Sequence, residues 1–133
     1  MSKKNQFLLW ALCLLFLPDL VSKDNSNFKN ISILADQVTL IEEANEIIFI
    51  KGINIKIDGM NIKGESALMS LDDEKIEISG APVSIKSSSL DGKADSLIIY
   101  PNQSIDMIGN ATLLNDGNLI SSNLIKYQIA SDG

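Results

Sequence analysis

The chain has 133 residues, 45% of them hydrophobic and only 5% aromatic, with 11 Lys+Arg against 17 Asp+Glu and a net charge of -6. Every basic residue is Lys, so the arginine-bearing basic footprint of a nucleic-acid binder is missing. No His is present, which removes catalytic triads, His-ligated zinc and imidazole acid–base chemistry, and Cys13 alone forms no intramolecular disulfide.

The length suits one small domain. Lys3 and Lys4 precede an apolar run over residues 7–17 that ends at Pro18-Asp19. A basic start, a short apolar stretch and a helix-breaking end describe a secretory signal peptide, since a spanning helix needs about 20 apolar residues. Residues 1–22 are therefore expected to be an export signal. Ser22 supplies the small residue of a cleavage site, while bulky Leu20 leaves an uncleaved membrane anchor as the alternative. Cys13 follows Trp10-Ala11-Leu12 and reads as one more apolar residue of that run. Residues 23–30 are polar and without period, a flexible lead-in.

Beyond Asn30 the chain repeats itself. Short alternating stretches end in glycine three times, at Ile48-Phe49-Ile50-Lys51-Gly52, Ile76-Glu77-Ile78-Ser79-Gly80 and Ile105-Asp106-Met107-Ile108-Gly109. A second phrase recurs between them: Ala35-Asp36-Gln37-Val38, Glu65-Ser66-Ala67-Leu68, Ala94-Asp95-Ser96-Leu97 and Ser121-Ser122-Asn123-Leu124. Within each unit the period is two. Ile53, Ile55 and Ile57 alternate with Asn54, Lys56 and Asp58, as a strand with one dry face requires. Turns are expected at Asp58-Gly59, Asp72-Asp73, Asp91-Gly92, Pro101-Asn102 and Asp116-Gly117. Glycine inside a strand marks a bulge or tight bend, and its recurrence bends each unit at one height. The fold class is all-β, built from strand repeats of about 28 residues that wind into a solenoid-like jelly roll.

Catalytic candidates are weak. Asp72-Asp73-Glu74 and Glu42-Glu43 read as solvated turn charge, residues 59–64 lack the Lys-Ser/Thr ending of a phosphate loop, and Ser84, Ser87, Ser88 and Ser89 have no His to activate them. No enzyme activity, cofactor or metal is expected.

The ordered phrases resemble the LptA/OstA-like family of lipopolysaccharide-transport proteins. Residues 31–37, Ile50-Lys51-Gly52, Gly80-Ala81-Pro82, Gly109-Asn110-Ala111-Thr112-Leu113 and residues 120–127 carry the likeness, which extends from about Ile31 to Tyr127. Ser122 stands where a glycine is usual. The resemblance implies an OstA-like β jelly roll over residues 31–133 and a periplasmic location. It also implies a bridge role in which the interior shelters the acyl chains of lipid A between inner and outer membranes.

On that reading the interior apolar face, and so the lipid-binding set, comprises Ile48, Ile50, Ile55, Ile57, Ile76, Ile78, Val83, Ile85, Leu97, Ile99, Ile105, Met107 and Leu113. The same residues serve equally as the filled core of a structural β-solenoid, and that alternative stays open. Implied partners are lipopolysaccharide, an inner-membrane LptC-like component and the OstA domain of an outer-membrane LptD-like one. A membrane-tethered LptC-like role for the chain itself is the other alternative. Residues 31–40 and 119–129 would form the two sheet edges. Head-to-tail joining of those edges gives a filament, and the alternative is a monomer with edges guarded by charge.

Overall fold

A computed structural model describes residue 28, residues 30–102 and residues 104–129. The expected export signal and most of the lead-in lie outside the described residues. Eight strands follow in chain order: β1 (Ile31–Leu34), β2 (Gln37–Ile41), β3 (Glu46–Ile57), β4 (Met60–Ser70), β5 (Lys75–Lys86), β6 (Leu90–Ile99), β7 (Ser104–Asn115) and β8 (Asn118–Gln128). They form one antiparallel sheet in the order β1-β3-β4-β5-β6-β7-β8, with β2 also paired to β3. Four of the expected turns close hairpins. Asp91-Gly92 does not, because it lies inside β6 and residues 87–89 make that turn instead.

Each strand pairing from β3 to β8 shifts register near its middle: at Ile50/Ile53, Lys63/Ser66, Ser79/Val83, Lys93/Ser96 and Ile108/Ala111. At the same height β1 and β2 are separated by Ala35-Asp36, and the Asp36 N–H donates to the Lys51 carbonyl at 2.8 Å. The bulges therefore form a line across the sheet, and bulges bend strands. This seam divides the sheet into a first wing, which starts with β1, and a second wing, which starts with β2.

The wings fold face to face. Met107 and Leu113 are six residues apart on β7, about 20 Å in an extended strand. Yet Met107 Cε and Leu113 Cδ1 lie 2.9 and 3.0 Å from where a Gly92 Cβ would stand. Only a strand doubled back on itself brings both to one point. Gly92 also explains the misplaced turn: it faces inward, and its missing side chain admits the Met107 methyl from the opposite wing.

Left-handed residues make the sharpest bends. β3 carries Lys51 and Gly52 at φ of 66° and 63°, and β7 carries Gly109 and Asn110 at 87° and 48°. Across from each glycine lies an aspartate of the recurring Ala-Asp phrase, Asp36 beside Gly52 and Asp95 beside Gly109. Asn110 Nδ2 donates to Asp95 Oδ2 at 3.1 Å, which ties the bend of β7 to β6. A Cβ on Gly109 would meet Asp95 Oδ2 at 2.5 Å, whereas one on Gly117, at φ of 85°, has nothing within 4 Å. Both Ala substitutions incur left-handed strain of about 1–2 kcal/mol. Gly109→Ala is expected to cost at least about 1 kcal/mol more than Gly117→Ala, because the Asp95 carboxylate must be displaced. Denaturant titration of both in native and Asp95→Ala backgrounds checks this, and the excess should vanish when Asp95 is gone.

Candidate functional site

The interior is built from rows of side chains that run across the strands, from one sheet edge to the other. Directly paired residues of an antiparallel ladder share a face. In the second wing one row reads Val38, Phe49, Ala67, Ile78, Leu97, Met107, Ile125, and the next reads Leu40, Ile47, Met69, Ile76, Ile99, Ile105, Tyr127. In the first wing the matching row is Ile33, Ile55, Ile62, Ile85, Gly92, Leu113, Ile120. Val83, Ala94 and Ala111 line the inner side of the seam and are buried. No charged residue interrupts these rows.

Eleven of the thirteen expected interior residues lie on this wall. Ile55, Ile57, Ile76, Ile78, Val83, Ile85, Leu97, Ile99, Ile105, Met107 and Leu113 are each at most 4% exposed. Ile48 and Ile50 do not join them. They project from the outer face of β3, Ile50 at 37% exposure, while Ile47 and Phe49 take the interior positions. Ile48 therefore does not share a wall with Ile76 and Ile105, contrary to expectation.

The reason is the bend itself. The left-handed pair is Lys51-Gly52 in β3 but Gly109-Asn110 in β7, so Lys51 is the counterpart of Gly109. Aligning the phrases on glycine shifts β3 by one residue, and one residue reverses every side chain. The run 47–50 is apolar throughout, so its alternation gave no warning. Ile53, which the alternation places on the dry face, is buried as well, and so are Ile62, Ala67, Leu90 and Ile129, which no expectation placed inside.

The rows emerge at both ends. Val38 and Leu40, at 56% and 59% exposure, sit on the interior face of the β2 edge, and Ile120, at 47%, does so at the β8 edge. Between those ends the wall is dry and filled by its own side chains. Turn-to-turn backbone bonds run along each wing: Leu71 N–H to Asn45 O at 3.0 Å on the second, Asp116 N–H to Ser89 O at 3.3 Å on the first.

Outside, a groove of about 670 Å³ on the second wing is lined by Asp73, Glu74, Tyr100, Asp106, Lys126 and Tyr127, among others. Lys126 pairs with Asp106 at 3.4 Å, and the Tyr100 hydroxyl donates to the same carboxylate at 3.3 Å. The hydrogen bond and the charge of Glu77 hold the Lys75 ammonium above its ordinary pKa, across a 3.2 Å contact. Among the described residues no three His, Cys, Asp or Glu side chains are grouped to hold a metal ion, and no helix is long and apolar enough to cross a membrane.

Residues 30–132 match the family described as LptA/(LptD N-terminal domain) LPS transport protein. The chain belongs to that family. Among solved structures, it is similar to LptH, described as the LptA-homologous periplasmic component of the conserved lipopolysaccharide transport device from Pseudomonas aeruginosa. The superposition has a TM-score of 0.67 at 14% sequence identity and covers 74% of this chain and 75% of LptH, which establishes the shared fold, the all-β roll of the family. No curated protein matches the chain in sequence.

Proposed function

We propose that this chain is a periplasmic component of lipopolysaccharide transport, a bridge segment whose interior shelters lipid A acyl chains. Residues 1–22 serve as its export signal, residues 23–30 as a lead-in and residues 31–133 as the carrier domain. The observation that carries the reading is the continuity of the apolar rows from one open edge to the other, in a chain of this family. A path that ended inside the molecule would suit a storage protein, whereas rows exposed at both edges suit a segment of a longer conduit.

The magnitudes favour such a path. Covering an acyl chain of about twelve carbons keeps roughly 10 kcal/mol of apolar surface from water, at about 0.8 kcal/mol per CH₂. Aliphatic walls do this without polar specificity. Because the interior is packed with its own side chains, cargo enters when the wings part. They are joined covalently through the bent strands at the seam and face one another through apolar side chains, so the rims opposite the seam are where they separate. Among the described residues no group is positioned for bond-making chemistry, and the energy for loading comes from partners.

The edges take the neighbours, an LptC-like domain at one end and an LptD-like OstA domain at the other, or further copies of the chain. β1, β2 and β8 all run from the first wing toward the second, so β8 of one roll meets β1 and β2 of the next in parallel. Stacked this way, Val38 and Leu40 continue the rows of Ile125 and Tyr127, and Ile120 meets Ile31 and Ile33.

A photo-crosslinking residue at Ile76 or Ile105, in cells making lipopolysaccharide, tests the cargo. Adducts are expected at both positions and not at Ile48, which faces outward. Absence of adducts at both interior positions would favour a structural roll with a permanently filled core.

A further inference from the structure

The outer face of the first wing has a chemistry its acidic parent chain does not lead one to expect. Two rows cross it: Ser32, Lys56, Asn61, Lys86, Asp91, Leu114, Leu119, and Leu34, Asn54, Lys63, Ser84, Lys93, Thr112, Ser121. Lys56, Lys63, Lys86 and Lys93 thus zigzag over four consecutive strands, with Asp91 the one carboxylate in the two rows and Asp58 at the adjoining β3–β4 turn. With strands about 4.8 Å apart, they span about 14 Å. All four are exposed, and none forms an ion pair with a described residue.

The second wing differs. There Glu77 and Asp106 are already matched by Lys75 and Lys126, at 3.2 and 3.4 Å. The roll is therefore electrically polarised, with uncompensated positive charge on one broad face and net negative charge elsewhere.

Apolar side chains border the lysines. Leu34 on β1 is 60% exposed, and Leu114 and Leu119, paired across β7 and β8, are 43% and 70% exposed, all on this outer face. Lysines flanked by protruding leucines, separated by short Ser, Thr and Asn side chains, match the two components of an anionic bilayer interface. Ammonium groups meet lipid phosphates, and aliphatic tips enter the boundary above the acyl chains.

We infer that the outer face of the first wing is a docking surface for an anionic phospholipid membrane, with Lys56, Lys63, Lys86 and Lys93 as the phosphate contacts and Leu34, Leu114 and Leu119 as the inserted margin. Docking in this way lays the roll on its side. The interior rows then run parallel to the bilayer, so docking holds a free copy at the membrane and is given up when that copy joins a bridge across the periplasm. Negative charge on the rest of the roll disfavours other orientations, so attachment is oriented.

The test uses the protein as exported by the cell and liposome flotation without lipopolysaccharide, so its outcome is independent of cargo binding. Vesicles of phosphatidylethanolamine with phosphatidylglycerol are expected to carry the protein upward, and phosphatidylcholine vesicles are not. Capture should fade as salt approaches about 1 M, where the Debye length is about 3 Å. Reversal of charge in Lys63→Glu with Lys86→Glu should weaken capture by about tenfold or more. The same charge change away from the face, Lys51→Glu with Lys126→Glu, should leave it within about twofold.

Leu34→Ser with Leu119→Ser should weaken it by at least about threefold. These sites are exposed, and circular dichroism confirms that each variant is folded. Equal capture by phosphatidylcholine, or indifference to the Lys63 and Lys86 reversal, overturns the assignment. Indifference to the leucine changes also overturns it, because charge alone then accounts for the capture.

Discussion

Ile105→Ala is expected to lower the stability of the domain by about 3–4 kcal/mol, and Ile48→Ala by about 1 kcal/mol. Both isoleucines occupy corresponding places in a glycine-ended phrase, and a reading by composition would treat them alike. Ile105 is fully buried between Ile99 and Tyr127, and removing three of its carbons leaves a cavity that a bent, doubly packed sheet cannot easily close. Ile48 stands between Thr39 and Leu68 on the outer face, where water fills the space it vacates. In a domain of this size, with total stability of about 5–15 kcal/mol, the first loss is severe and the second minor. Urea titrations with unchanged slope measure it. Equal losses would mean that β3 is registered one residue away from its position here.

End-to-end growth is expected to stop when the exposed ends of the interior rows are charged. Val38→Glu with Leu40→Glu places two carboxylates on the interior face of the β2 edge, and Ile120→Glu places one at the β8 edge. Each should hold the protein at the mass of a single copy at concentrations where the unaltered chain lengthens, as read by light scattering. Burying one unpaired carboxylate costs several kcal/mol, more than a strand-to-strand junction readily offsets. All three positions are about half exposed, so the folded copy itself tolerates the change. If either variant alone leaves growth untouched, that edge takes no part in the junction. A mixture of the two should form junctions only through the one remaining pair of intact edges, and so stop at dimers.

Much of this architecture was legible because period-two alternation is a direct record of a half-buried strand. β5 and β7 each contain apolar residues separated by polar ones, and their inward and outward faces follow at once. The bend was legible too, since glycine inside an alternating strand has few other meanings. Two features were not. The residues 47–50 are apolar on both faces, so parity had to be taken from the glycine, and the bend of β3 places its glycine second rather than first in the left-handed pair.

Gly92 was read as a turn residue because Asp-Gly usually is one. Its role depends on a methyl group from the other wing, a contact between residues fifteen apart that no local pattern encodes. The basic face of the first wing is illegible in the sequence for a similar reason. Its four lysines are scattered along the chain and become neighbours only through strand pairing.

A core packed with its own side chains must open to admit acyl chains. Spin labels at Lys63 and Glu77, on the outer faces of opposite wings, report the separation of the wings directly by electron–electron distance measurement. Without lipid a single short distance is predicted. Addition of lipopolysaccharide should replace it with a longer one, and the change should be lost when Ile78 and Leu97 are joined through cysteines to residues of the facing wing. A distance that does not move while lipopolysaccharide binds would place the lipid outside the roll and contradict the account.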